Sequence, residues 1–391
     1  MEAITASTAA PAVERARSAV APWYCRAVVF GATSIVVGVL WDISWHRTIG
    51  RDTFWTPAHL AIYLGGVLGG LTCGWLAFRT TLLRTAAERQ ETVGCWGARA
   101  PLGAWVVIWG ALAMLTSAPF DDWWHNAYGL DVQIISPPHT VLAAGMYGVA
   151  LGAMLLVLRH QNLSRAEPAP GRGMLAYTGG VLVALVATMV TEYSFPNQQH
   201  TGRFYEISCA IYPLILTGIG RATRMRWAAT AIALAYMSIA AGMAWILPIF
   251  PGQPLLGPIY HPVDHMVPLP FPLLLVLPAV ALDCLRNRYG TGPGWLLAAL
   301  SGAAFFVVFL IVQWNFSAFL ISPWADNWFF AGNRWEYGTH VGDWCHRFWD
   351  QTFPRWNAPT TIASLETALA LAVVSSGAGL ALGNWMARVK R

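Results

Sequence analysis

The sequence predicts an all-α integral membrane protein of about ten transmembrane helices, with both termini in the cytoplasm. Three observations predict it. Of 391 residues, 56% are hydrophobic and only 11% charged, against about 25% charged in a soluble domain. Apolar runs recur at the length of roughly 20 residues that a helix needs to cross hydrocarbon. Arginine and lysine alternate in abundance between the two sides of those runs, which sets orientation.

The apolar runs fall at 27–46, 57–78, 101–119, 137–158, 174–191, 204–220, 227–247, 268–285, 295–319 and 360–386. Backbone groups in lipid must be paired within their own segment, so each run is expected to be a helix. Threaded in order, they leave Arg47, Arg51, Arg203, Arg334, Arg347 and Arg355 on one side. The other 18 of the 24 arginines and lysines collect on the opposite, cytoplasmic side. The net charge of +5 is thus a topology signal and not a nucleic-acid footprint. Histidine sorts the other way, with His160 alone of the ten on the cytoplasmic side. In a bacterial inner membrane the histidine-rich face is periplasmic, and chemistry is expected there.

The chain divides into a flexible tail over 1–26, a four-helix unit over 27–158 and a six-helix unit over 174–391. The first 20 residues lack the apolar core of a signal peptide, so the first span is the targeting element. Six cysteines without a CxxC pair argue against a thiolate metal site or a disulfide framework.

The four-helix unit carries a repeated hairpin. "WDISWHRTIGRDTFWTPAH" (41–59) and "DDWWHNAYGLDVQIISPPH" (121–139) align Asp42 with Asp121, Trp45 with Trp124, His46 with His125, Gly50 with Gly129 and Asp52 with Asp131. Thr56 and Ser136 suit a helix N-cap, and Pro57 and Pro137 suit the first helical position. That register makes His59 and His139 the third residue of each returning helix.

Asp42 and His46 stand at i and i+4 and share one face of the outgoing helix. His59 opens the next helix beside them. One carboxylate and two imidazoles make an N/O-rich site with room for exogenous ligands, suited to copper, iron(II) or zinc. Asp52 and Asp131 are candidate acceptors for the second imidazole nitrogen, and Asp122 is a further candidate. A single interfacial histidine beside tryptophan is ordinarily a headgroup-belt residue. The duplication of the whole pattern, and the cost of ionisable groups at membrane depth, favour metal ligation here.

Trp41 to Tyr63, with Asp-x3-His, Arg-Asp-Thr and a Thr-Pro-x-His helix start, resembles a copper-binding segment of the copper membrane monooxygenases (particulate methane and ammonia monooxygenases), found in one of their membrane subunits. The resemblance implies copper ligands Asp42, His46 and His59. On the next hairpin, where that family has Asn-x3-His, it implies Asp121, His125 and His139. Asp121 in place of asparagine adds a negative charge that favours a second bound cation or a different metal. The resemblance covers roughly 27–158; residues 174–391 match nothing in that family member. It also implies dioxygen as co-substrate, an electron donor and additional membrane oxidase subunits.

The second half offers further ionisable groups at the outer face: Glu192, His200 and Glu206 in one loop, and His261, Asp264 and His265 in "YHPVDHMVP". There Asp264 is expected to orient one member of an imidazole pair, while Pro262 argues for a helix start rather than an uninterrupted i, i+4 pair. His340, Asp343 and His346 lie in segment 320–358, crowded with aromatics from Trp324 to Trp356. That segment is expected to rest in the interface as an amphipathic lid, long enough to cover the hairpins or dock a partner.

Two functions of different class follow. One is an outer-face copper oxidoreductase subunit oxidising a small apolar or amine substrate with dioxygen. The other is a non-catalytic metal-binding or scaffold subunit of a larger oxidase or copper-handling complex. The 11 methionines form no Mx2M or Mx3M cluster at the outer face, which weighs against a Cu(I) conduit. A secondary transporter ranks last, because its repeats are usually inverted and its site central, whereas both hairpins here open outward.

Overall fold

The computed structural model describes residues 21–51, 53–84, 91–129, 136–164, 169, 171–332, 334–340, 342–349 and 358–391. Helices run α1 Trp23–Thr48, α2 Pro57–Leu82, α3 Leu102–Tyr128, α4 Pro137–Leu163, α5 Arg172–Met189, α6 Gly202–Ala222, α7 Ala228–Ile246, α8 Val276–Tyr289, α9 Gly294–Leu320 and α10 Ile362–Met386. The one sheet among the described residues is a small antiparallel hairpin before α3, β1 Val93–Cys95 with β2 Ala98–Ala100. The fold is that of an all-α membrane protein.

Eight of these helices are long and apolar enough to cross a membrane. Two of the ten expected runs fall short. Residues 202–222 are helical but carry Arg203, Glu206 and Arg221, and are less apolar than the eight. Residues 268–285 are not one helix: Pro268, Pro270 and Pro272 each remove a backbone donor, so the chain stays irregular there and α8, of 14 residues, begins at Val276.

The hairpins α1–α2 and α3–α4 pack through small residues, as membrane helices do when lipid supplies no hydrophobic drive between them. A Cβ on Gly31 of α1 would sit 2.9 Å from Gly65 O of α2, and one on Gly110 of α3 would sit 2.7 Å from Gly145 O of α4. Backbones this close fix the axial register of each pair, and with it the height of the ionisable residues at its open end. Helix α2 also packs on α3, and α1 on α4 and α5. In the second half α6 lies along α10, and α5 along α7.

The segment 320–358, expected as an amphipathic lid, leaves α9 at Leu320 and holds beyond it only the short 3-10 turns Pro323–Ala325 and Asp343–His346 among the described residues. It reaches the end of α1 nonetheless. Tyr337 N–H donates to Arg47 O (3.4 Å), Tyr260 N–H to Tyr337 O (2.9 Å) and Leu255 N–H to Ile49 O (2.9 Å). Gly50 turns the chain out of α1 at φ +82°, and the Tyr337 ring fills the place of its missing side chain.

Candidate functional site

The turn from α1 into α2 is built on one carbonyl. Thr56 caps α2 with Pro57 at the first helical position, as expected, but its hydroxyl serves the turn and not the helix: it accepts from Thr53 N–H and donates to Thr53 O, both at 2.8 Å. Thr56 N–H also reaches Thr53 O at 3.0 Å. The same oxygen then holds His59, whose Nδ1 lies 2.9 Å away. A carbonyl only accepts, so Nδ1 carries the proton. Neutral His59 therefore turns an unprotonated Nε2 toward α1.

What it faces is Asp42. His59 Nε2 is 3.1 Å from Asp42 Oδ1, and His46 Nε2 is 3.8 Å from Oδ2. Both Asp42 and His59 are about four-fifths buried, while His46 is half exposed. Asp42 Oδ1 is shut off from solvent and receives no hydrogen bond of proper geometry. A buried acceptor is ordinarily satisfied; with His59 neutral, an imidazole lone pair and a carboxylate oxygen face each other here. A proton or a cation between them removes the conflict. Imidazole pinned by its other nitrogen to a backbone carbonyl is also how metal-ligating histidines are held. Beside His59 stand Tyr63 (ring centroids 6.1 Å) and Phe54, which packs on Tyr63 at 5.0 Å.

The second hairpin shares the capped helix start and the pairing of that helix's histidine with the aspartate. Ser136 caps α4 and accepts from His139 N–H at 3.3 Å. His139 Nε2 is 3.5 Å from Asp121 Oδ1, each about one-third exposed. Asp122 turns away, its Oδ2 accepting from Asn126 Nδ2 at 3.3 Å. Asp52, Asp131 and the side chains of His125 and Asp343 lie outside the described residues. Among the described residues no three His, Cys, Asp or Glu are already gathered as a metal cage.

The second-half candidates do other work. His200 lies between the rings of Trp314 and Phe348, at 3.8 and 3.5 Å, and its Nε2 donates to Trp314 O at 2.9 Å. Burial pushes its pKa below the ordinary 6.5, against the pull of that hydrogen bond. Glu206 pairs with Arg203 at 3.5 Å. Asp264 orients His265, whose Nδ1 is 2.9 Å from its Oδ1, while His261 is tied down through its backbone N–H on Tyr337 O. The hydrogen bond from His265 holds the exposed Asp264 carboxyl below its usual range. The His340 ring packs against that of Tyr260, tilted by 32°, with centroids 3.7 Å apart.

Two groups escaped the sequence reading. Arg47, counted as an outer-loop charge, is buried, donates to Arg334 O at 3.1 Å and lies 5.3 Å over the Phe195 ring. Asp283, 1% exposed, accepts from Ala229 N–H, Thr230 N–H and the Thr230 hydroxyl at the start of α7, and pairs with Arg286 at 3.1 Å. A lone Asp three residues before Arg in an apolar run is the signal that would have found it. No family model, curated protein or solved structure matches the chain.

Proposed function

We propose that this chain is the metal-binding subunit of a membrane oxidoreductase, monooxygenase-like, holding copper through Asp42, His46 and His59 and a second ion through Asp121, His125 and His139. The observation that carries this reading is the confrontation of His59 Nε2 with the unsatisfied Asp42 Oδ1 at 3.1 Å. The donor set suits copper first, with iron(II) or zinc as alternatives. When bound, copper supplies one-electron chemistry toward dioxygen.

The chain's own residues do the rest. Thr53 O fixes the tautomer and azimuth of His59, so its coordinating nitrogen is formed before any ion arrives. Asp42 lends the negative charge that holds a cation at membrane depth. Half-exposed His46 has room to swing onto the same ion. Phe54 and Tyr63 give the apolar wall against which a small apolar or amine substrate rests. The spanning helices then lie in a bacterial inner membrane, both termini in the cytoplasm and the hairpins facing the periplasm, where partner oxidase subunits supply electrons.

One observation favours the non-catalytic alternative. A half-open cavity of about 50 Å³ beside α1 is lined by Leu40, Tyr212, Tyr236 and Phe271 among others, and not by the Asp42 trio. A metal-binding scaffold needs no such adjoining hollow. Metal analysis of wild type, Asp42→Ala and His46→Ala tests the site: each variant loses one ion per chain, and equal metal in all three removes the assignment. Oxidation of short alkanes, alkenes and ammonia by membranes containing the chain and its partner subunits then separates the two readings, since full metal without turnover selects the scaffold.

A further inference from the structure

At the end of the bundle opposite the hairpins, the chain turns from α6 into α7 against the last residues of α8. The turn is clamped. Arg286 donates to Gly220 O, to Met225 O at 2.6 Å and to Arg226 O at 2.7 Å, and Asn287 Nδ2 donates to Arg226 O at 3.0 Å. Gln161 Nε2, from the end of α4, donates to Ala222 O at 3.0 Å. This rigid loop walls an open cavity of about 420 Å³ lined by Arg221, Thr223, Arg224, Arg226 and Arg286.

Among the described residues, no carboxylate lines that cavity. The Arg286 partner, Asp283, is buried beneath and committed to the start of α7. At the same end Arg159 does meet a carboxylate, that of Glu91 at 3.5 Å. Arg221 spends Nε on Asn384 Oδ1 (3.0 Å) and Nη1 on Gly290 O (3.1 Å), which orients the fork beside the cavity that it lines. Thr223 lines the same cavity, and its hydroxyl, buried just beneath the surface, has no hydrogen-bond partner among the described residues. Exposed Trp227 and Tyr289 flank it, residues of the kind that mark the headgroup level.

Several guanidinium groups, that of Arg221 held in place, beside an unsatisfied buried hydroxyl fit a tetrahedral oxyanion. We propose that this cavity binds a phosphate-bearing anion, the headgroup of an anionic phospholipid or a soluble phosphate compound, through Arg221, Arg226 and the Thr223 hydroxyl. Basic clefts between membrane helices recognise anionic headgroups by this chemistry. The site is independent of the metal hairpins.

The test uses the full-length protein in nanodiscs of mixed phosphatidylcholine and phosphatidylglycerol, scoring the lipid retained on extraction by native mass spectrometry. A second arm follows the thermal midpoint in detergent against inorganic phosphate. Wild type is expected to retain phosphatidylglycerol selectively. Arg221→Gln and Arg226→Gln are each expected to weaken that retention about fivefold, and Thr223→Val to weaken it without a charge change. Arg288→Gln, which removes a charge from the same end outside the cavity, leaves retention unchanged. Stabilisation of wild type by inorganic phosphate without lipid selectivity, lost in Arg221→Gln, identifies a soluble phosphate ligand instead. Equal retention of both lipids together with no response to phosphate overturns the proposal, as does an Arg288→Gln effect equal to that of Arg221→Gln. If the cavity variants fail to fold, the wild-type arms decide alone.

Discussion

Asp42→Asn separates a metal site from an ordinary ion pair, because the two readings predict opposite signs in the metal-free protein. In the wild type a carboxylate oxygen with no proper hydrogen bond faces His59 Nε2 at 3.1 Å. Asparagine puts an amide N–H opposite that lone pair and removes the buried charge. Relief of an unsatisfied buried acceptor is worth about 1–3 kcal/mol. Since Asp42 keeps 21% of its side-chain surface in solvent, about 1 kcal/mol is the expected gain. For a chain of 391 residues that raises the metal-free thermal midpoint by on the order of 1–2 °C, extrapolating the decline with size. The same change removes a direct ligand. Losing a group that merely orients a ligand costs 10–100-fold in metal affinity, so the expected loss here is at least about 100-fold. The assay pairs a thermal melt of chelator-treated protein with a copper titration of both forms. A lower midpoint for the metal-free variant, with copper affinity equal to wild type, refutes the reasoning.

Gly110→Val drives a side chain into Gly145 O and Val149 N, both 2.7 Å from its Cβ, and is expected to cost about 3 kcal/mol or more in a detergent melt; Gly74→Ala, with nothing within 4 Å of its Cβ, gains about 0.5 kcal/mol by helix preference. His200, whose pKa burial lowers from 6.5, binds its proton more readily unfolded than folded. Its contribution to stability is therefore complete above about pH 6.5 and declines as the pH falls below it, and His200→Phe, which keeps the stack, is expected to flatten that part of the pH–midpoint curve. Asp283→Asn leaves Arg286 without its buried partner and weakens the cap on α7, with an expected cost of about 3 kcal/mol measured against urea.

The hairpins were legible because each of their devices is local. An Asp-x3-His at a helix end, a Thr or Ser cap and a following proline dictate their geometry within a few residues, and Pro57, Pro137, Thr56 and Ser136 stand where the sequence places them. The grip on His59 was not legible, since the acceptor is the Thr53 carbonyl and every residue has one. Arg47 was read as a loop charge because its compensation, Arg334 O and the Phe195 ring, comes from far along the chain. The span at 268–285 was overread: its hydropathy counts apolar side chains, while three prolines decide the backbone. The arginine cavity was hidden for the opposite reason, its residues being absorbed into a topology rule that explains their side of the membrane and not their convergence.

The most direct measurement is an anomalous difference map of crystals grown with copper, recorded at the metal edge. One peak in contact with Asp42, His46 and His59 is predicted, with a second beside Asp121 and His139. A map without density at either hairpin, from protein in which His59 Nε2 still faces Asp42, would contradict the account.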